Sequence, residues 1–121
     1  MFTTVVDHIS AGTLPSVDAY SDDDVLAAMR ALSVVAGRVE VIRAELLVAA
    51  ADREMWRREG ARSLAAWLAQ HCAISARDAR RAVDTARIIH TTRDIAAALM
   101  VGEIATAHVE TIASSISMAG G

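Results

Sequence analysis

Lysine and asparagine are missing from this 121-residue chain, and all 12 of its basic residues are arginine. The lack of asparagine excludes any chemistry that needs an Asn side chain. Arginine-only usage is what a GC-rich genome produces and assigns no mechanism by itself. A single cysteine, Cys72, excludes an intrachain disulfide and fits a reducing cytoplasm. Aromatic residues make up only 3% of the chain: Phe2, Tyr20, Trp56 and Trp67. One proline, Pro15, and six glycines argue against a β-sandwich, a barrel or a disordered tail. No apolar run approaches the roughly 18 residues of a membrane span. The longest, Ile95–Val101, suits a buried helix. The opening MFTTVVDHIS has no basic leader before an apolar stretch, so neither a signal peptide nor a membrane partner is expected.

What the chain does have is a 54% hydrophobic content, and the excess over an ordinary domain is alanine. Alanine is the best helix former and a poor strand former. The length suits one domain that buries about two thirds of its extended surface. The net charge of −3 is unevenly spread. Residues 1–29 hold five acids and no base, residues 30–93 hold all twelve arginines against seven acids, and residues 94–121 hold three acids. An acidic total does not indicate a generic nucleic-acid binder, but a local basic surface fits the central block.

Residues 1–20 show no sustained period and contain Gly12 and Pro15, so they are expected to form an irregular N-terminal arm before a helical domain over 21–121. Ser21 opens S-D-D-D, a capping signal with Asp24 at the capping-box position. A helix of about Asp22 to Arg58 follows, with Gly37 bending it or admitting a close neighbour. Leu32, Val35, Val39, Ile42, Leu46 and Ala49 step by 3, 4, 3, 4, 3, a heptad-like seam that Trp56 extends. The rest of so short a chain cannot cover a helix of this length, so the helix must bend back or offer part of its seam to a partner. Further helices are expected from Leu64 to about Cys72, from Ala76 to about Thr91, from Thr92 or Asp94 to Gly102, and from Glu103 to about Met118. In the last, Ile104, Ala107, Val109, Ile112 and Ile116 are candidate core contacts. The expected fold is all-α: a bundle of about five helices with one long N-terminal helix and a helix-turn-helix-like C-terminal cluster.

On the helix from Ala76, residues Ala79, Ala82, Val83, Ala86 and Ile89 fall within about 120° of arc. Arg77, Arg80, Arg81 and Arg87 fall on the opposite side, and Arg93 follows in the next segment. Guanidinium pairs bidentately with phosphate, so this face is a candidate DNA surface. Asp84 lies in its middle, four residues after Arg80 and three from Arg81 and Arg87. Such an acid equally suits a solvated, salt-bridged face, and both readings stand.

No metal site is expected. His71 and Cys72 are adjacent and point about 100° apart on a helix. His90 and His108 are isolated, and no C-x-x-C, H-E-x-x-H or H-x-x-x-H spacing exists. Cys72 reads as a buried small hydrophobe. Asp52, Glu54 and Glu59 among Arg53, Arg57 and Arg58 read as a solvated face. No nucleophile motif, glycine-rich phosphate loop, cofactor signature or small-molecule site is evident.

Two motifs carry a resemblance. W-R-R-E-G-A-R-S-L-A-A-W-L-A, from Trp56 to Ala69, and G-E-I-A-T-A-H-V, from Gly102 to Val109, flank an Arg- and Ala-rich helix. Together they resemble domain of unknown function 222, the 13E12-repeat family, over about Val25 to Ile116. The resemblance implies the helical region that commonly precedes a C-terminal HNH endonuclease module, chiefly in actinobacteria. The nuclease chemistry of that family belongs to the HNH module, with its histidine base, divalent metal and usual asparagine. No residue of it can be carried onto this chain, which is expected to be an N-terminal fragment or a short paralogue. The series from Ser75 to G-E-I-A-T-A-H-V is also similar to the helix-turn-helix core of ParB-type partition proteins.

Three functional expectations follow. The first is a non-catalytic module that helps a nuclease engage DNA, with Arg77, Arg80, Arg81, Arg87 and Arg93 on the phosphate backbone. The second is a structural module that self-associates as a homodimer through the seam of Leu32, Val35, Val39, Ile42, Leu46 and Trp56, with no nucleic-acid role. The third, an enzyme in its own right, has no acid–base pair, nucleophile or metal set behind it.

Overall fold

In the computed structural model, Ser21 sits in extended backbone and caps the long helix α2, Asp22–Asp52, in a full capping box. The Asp24 amide donates to Ser21 Oγ at 3.1 Å, and the Ser21 amide donates to Asp24 Oδ2 at 3.1 Å. Asp22, Asp23 and Asp24 place negative charge on the positive end of the helix dipole. The structure describes residues 2–119, and side chains over 5–113. All the regular structure among them is helical: α1 (Phe2–Ala11), α2, α3 (Met55–Arg58), α4 (Leu64–Cys72), α5 (Ala76–Thr91), α6 (Arg93–Met100) and α7 (Thr106–Ala119), plus a 3-10 turn at Val17–Ala19. None of the described helices is long and apolar enough to cross a membrane.

Seven helices replace the expected five for two reasons. The supposedly irregular arm contains α1, which packs on α2 and buries Val5. Its spacing is too short to show a period, so the helix is fixed by that contact rather than by local pattern. The long helix also stops at Asp52 instead of Arg58. Its last turn carries an acid and no base, a poor match for the negative end of the dipole. Glu54 then adopts the left-handed conformation (φ 51°), and α3 starts in a new direction. Trp56 therefore leaves the seam, and α3 packs on α2 and α4.

The core is built on small residues. Ala44 and Leu47 of α2 meet Ala79, Ala82, Ala86 and Ile89 of α5, with Leu68, Ala96, Leu99 and Val109 closing the cluster. Alanine at these contacts lets helix axes approach toward the lower end of the usual 8–10 Å. All five residues expected on the inner face of α5 are buried. In the α7 region Val109 is buried and Ile104 packs against the core, whereas Ala107 and Ile112 are exposed; the Ile116 side chain lies outside the described residues. Cys72 is exposed rather than buried.

Gly37 is buried against α6, where an added Cβ would run into the Leu99 carbonyl. It admits a close neighbour. Gly37→Ala must push α6 away from α2, and is expected to cost roughly 1–3 kcal/mol of stability. Urea denaturation of the two proteins checks this.

Candidate nucleic-acid interface

Helix α5 is positioned by its start and by its inner face. Ser75 caps it, with the Asp78 amide donating to Ser75 Oγ at 3.0 Å. Ala79, Ala82, Val83, Thr85, Ala86 and Ile89 are buried, and α5 packs against α2, α4, α6 and α7. Its one free face is then fixed, and Arg77, Arg80, Arg81 and Arg87 all stand on it, exposed.

The acid in the middle neutralises less than its spacing allows. Asp84 reaches only Arg87, at a long 3.9 Å. Neither Arg77 nor Arg80 has an ion pair among the described residues. Arg81 differs: it lines an open cleft of about 270 Å³ with Glu40, Asp78 and Glu110, where the only other cation is Arg43. Arg43 is itself held by Glu40, with Nη2 donating to both carboxylate oxygens at 2.6 and 2.7 Å. Three carboxylates there make Arg81 the weakest phosphate ligand of the four. Arg93 does not join the ridge. It begins α6 and approaches Glu45 of α2 at 3.8 Å, beside His90 Nδ1 at 3.3 Å from the same oxygen. The structure therefore brings four of the five candidate arginines onto one helix face and gives the fifth to an inter-helix contact.

The first tryptophan-rich motif has a structural explanation. Gly60 turns the chain in the left-handed region (φ 80°), and Ser63 caps α4 through the Ala66 amide at 3.1 Å. Glu59, which its sequence surroundings place on a solvated face, accepts hydrogen bonds from Trp67 Nε1 at 3.0 Å and His71 Nε2 at 2.7 Å. Those two bonds hold its carboxyl below the ordinary 4.5, the Trp67 bond most of all. Only the i+8 and i+12 separations in the folded turn reveal this clasp; no helical spacing signals it. The second motif is also architectural. Gly102 turns at φ 78° against Val34, and His108 Nδ1 accepts from the Ala105 amide at 3.2 Å ahead of α7. Three histidines are thus engaged by Glu59, Glu45 and the α7 entry. Among the described residues no group of three or more His, Cys, Asp or Glu is placed to hold a metal.

The family model described as domain of unknown function DUF222 matches residues 26–118. The chain belongs to that family. No curated protein and no solved structure matches it. The DUF222 match begins within α2 and ends in α7, so it spans the α5 ridge, the Glu59 clasp and both motifs.

Because its folded value is lowered, ionised Glu59 contributes stability above the ordinary carboxylate value of 4.5, and that contribution is lost as pH falls through the lowered value. Glu59→Gln is expected to melt earlier than the parent at neutral pH, with the gap closing in acid. Thermal unfolding across a pH series reads the difference directly.

Proposed function

We propose that this chain is a non-catalytic helical module that engages the DNA backbone through the outer face of α5. The observation that supports it is the exposure of Arg77, Arg80 and Arg87 on one rigid helix with a single 3.9 Å ion pair among them. Such a face positions a protein on phosphates without reading bases. The proposed setting is a cytoplasmic, actinobacterial protein associated with an HNH endonuclease, which would supply the cutting chemistry while this module supplies grip. Arg81 contributes least, since it stands over a carboxylate-lined cleft.

A second reading is favoured by α2. Leu32, Val39, Ile42 and Leu46 of the seam are exposed on the side of α2 away from α5 and α6, and Val35 is half-buried. Self-association through it uses a different helix from the arginine ridge and, on this second reading, needs no nucleic-acid role.

The first reading is tested by duplex-DNA binding across a salt series. Low-salt binding is expected to weaken on raising salt, and Arg80→Ala with Arg81→Ala is expected to lower the slope of log K against log salt by about one to two. Arg80→Ala alone is expected to account for most of that loss. No binding at low salt, or an unchanged double variant, would contradict it.

A further inference from the structure

The outer stripe of α2 is apolar and mostly exposed. Leu32, Val39, Ile42 and Leu46 are 39%, 52%, 58% and 65% exposed. Val35, between them, is half-buried. At 100° per residue the five fall within about 80° of arc, roughly opposite Val34, Gly37, Val41 and Ala44, which face α5, α6 and the α6–α7 turn. Helix α2 thus has two apolar faces: one meets α5 and α6, and the other is mostly exposed, with α1 also packed on the helix.

The stripe has a symmetry of its own. Its 3, 4, 3, 4, 3 spacing reads the same in both directions. Two copies laid antiparallel place Val39 against Ile42, Val35 against Leu46, and Leu32 against Ala49 of the second copy. Every large side chain then meets an apolar one about a two-fold axis between Glu40 and Val41. The flanking charges favour one direction, with Glu45 Oε1 also approached by His90 and Arg93 of its own copy and Arg43 held by Glu40. Arg38 and Glu45 flank the same edge of the stripe, one heptad apart. Antiparallel pairing sets each Arg38 beside Glu45 of the other copy, twice by symmetry. Parallel pairing in register sets Arg38 beside Arg43 instead. Among the described residues Arg38 has no acidic partner; its Nε donates to the Met100 carbonyl at 3.0 Å.

We propose that a second copy of this chain docks on the outer stripe of α2, antiparallel, with Val39 and Ile42 at the two-fold axis and Arg38–Glu45 pairs at its edges. This rests on the self-association reading above and adds the occupant, direction and register. A two-fold contact of this kind is closed, so it yields dimers and not filaments.

Sedimentation equilibrium and cysteine pairing test it together. The chain is expected to show a dimer of twice 12.8 kDa. Ile42→Asp is expected to weaken that dimer about 100-fold or more while leaving the circular dichroism unchanged, because the charge would be desolvated only in the dimer. Glu45→Arg is expected to weaken it, and adding Arg38→Glu to restore it. In a Cys72→Ser background, Val35→Cys mixed with Leu46→Cys is expected to oxidise to a mixed disulfide, and neither is expected to cross-link alone. The 11-residue offset keeps like positions about 16 Å apart, beyond disulfide reach. A chain that stays monomeric, or a dimer indifferent to Ile42→Asp, overturns the seam reading and this inference with it. A dimer in which Val35→Cys cross-links to itself keeps the seam and overturns only the antiparallel register.

Discussion

The close docking of α5 and α6 on one alanine- and glycine-lined face of α2 governs everything else in this molecule. Gly37 meets the Leu99 carbonyl with no room for a side chain, and Ala44 meets a run of alanines on α5. Small residues make that contact tight but cheap in apolar volume. Among the described residues, Ile89, Leu99 and Val109 are the largest side chains that are fully buried. A core of this kind draws on one side of a 31-residue helix, and Leu32, Val39, Ile42 and Leu46 stay exposed on another.

Both candidate surfaces are consequences of that arrangement. Once α5 commits its alanine face inward, its arginines can only point out, and their spacing along the helix is fixed by the backbone rather than by side-chain pairing. Once α2 commits Gly37, Ala44 and Leu47 inward, where they are buried, Leu32, Val39, Ile42 and Leu46 are left pointing out, exposed.

Much of this was legible in the residues. Ser21 caps its helix as its position foretold, and Ser63 and Ser75 cap theirs in the same way, because a cap is a local hydrogen bond between neighbours in sequence. The inner face of α5 followed from periodicity alone. The seam of α2 was equally visible, but a stripe does not say whether the chain itself will cover it. The α2 stop was hidden, since Asp52–Glu54 sits inside an unbroken helical pattern and only dipole mismatch argues against continuation. Helix α1 was hidden because a ten-residue segment is held by its docking on α2. The Glu59 clasp and the Arg93–Glu45 contact were hidden for a common reason: both join groups whose separation in sequence carries no period.

The two-faced character of α2 is the claim on which the account stands. Methyl-labelled NMR followed over a protein dilution series measures it most directly. The account expects the methyl signals of Val39, Ile42 and Leu46 to move with concentration while those of Ile89, Leu99 and Val109 stay fixed. Outer-stripe signals that do not respond to dilution, or core signals that shift with them, would contradict it.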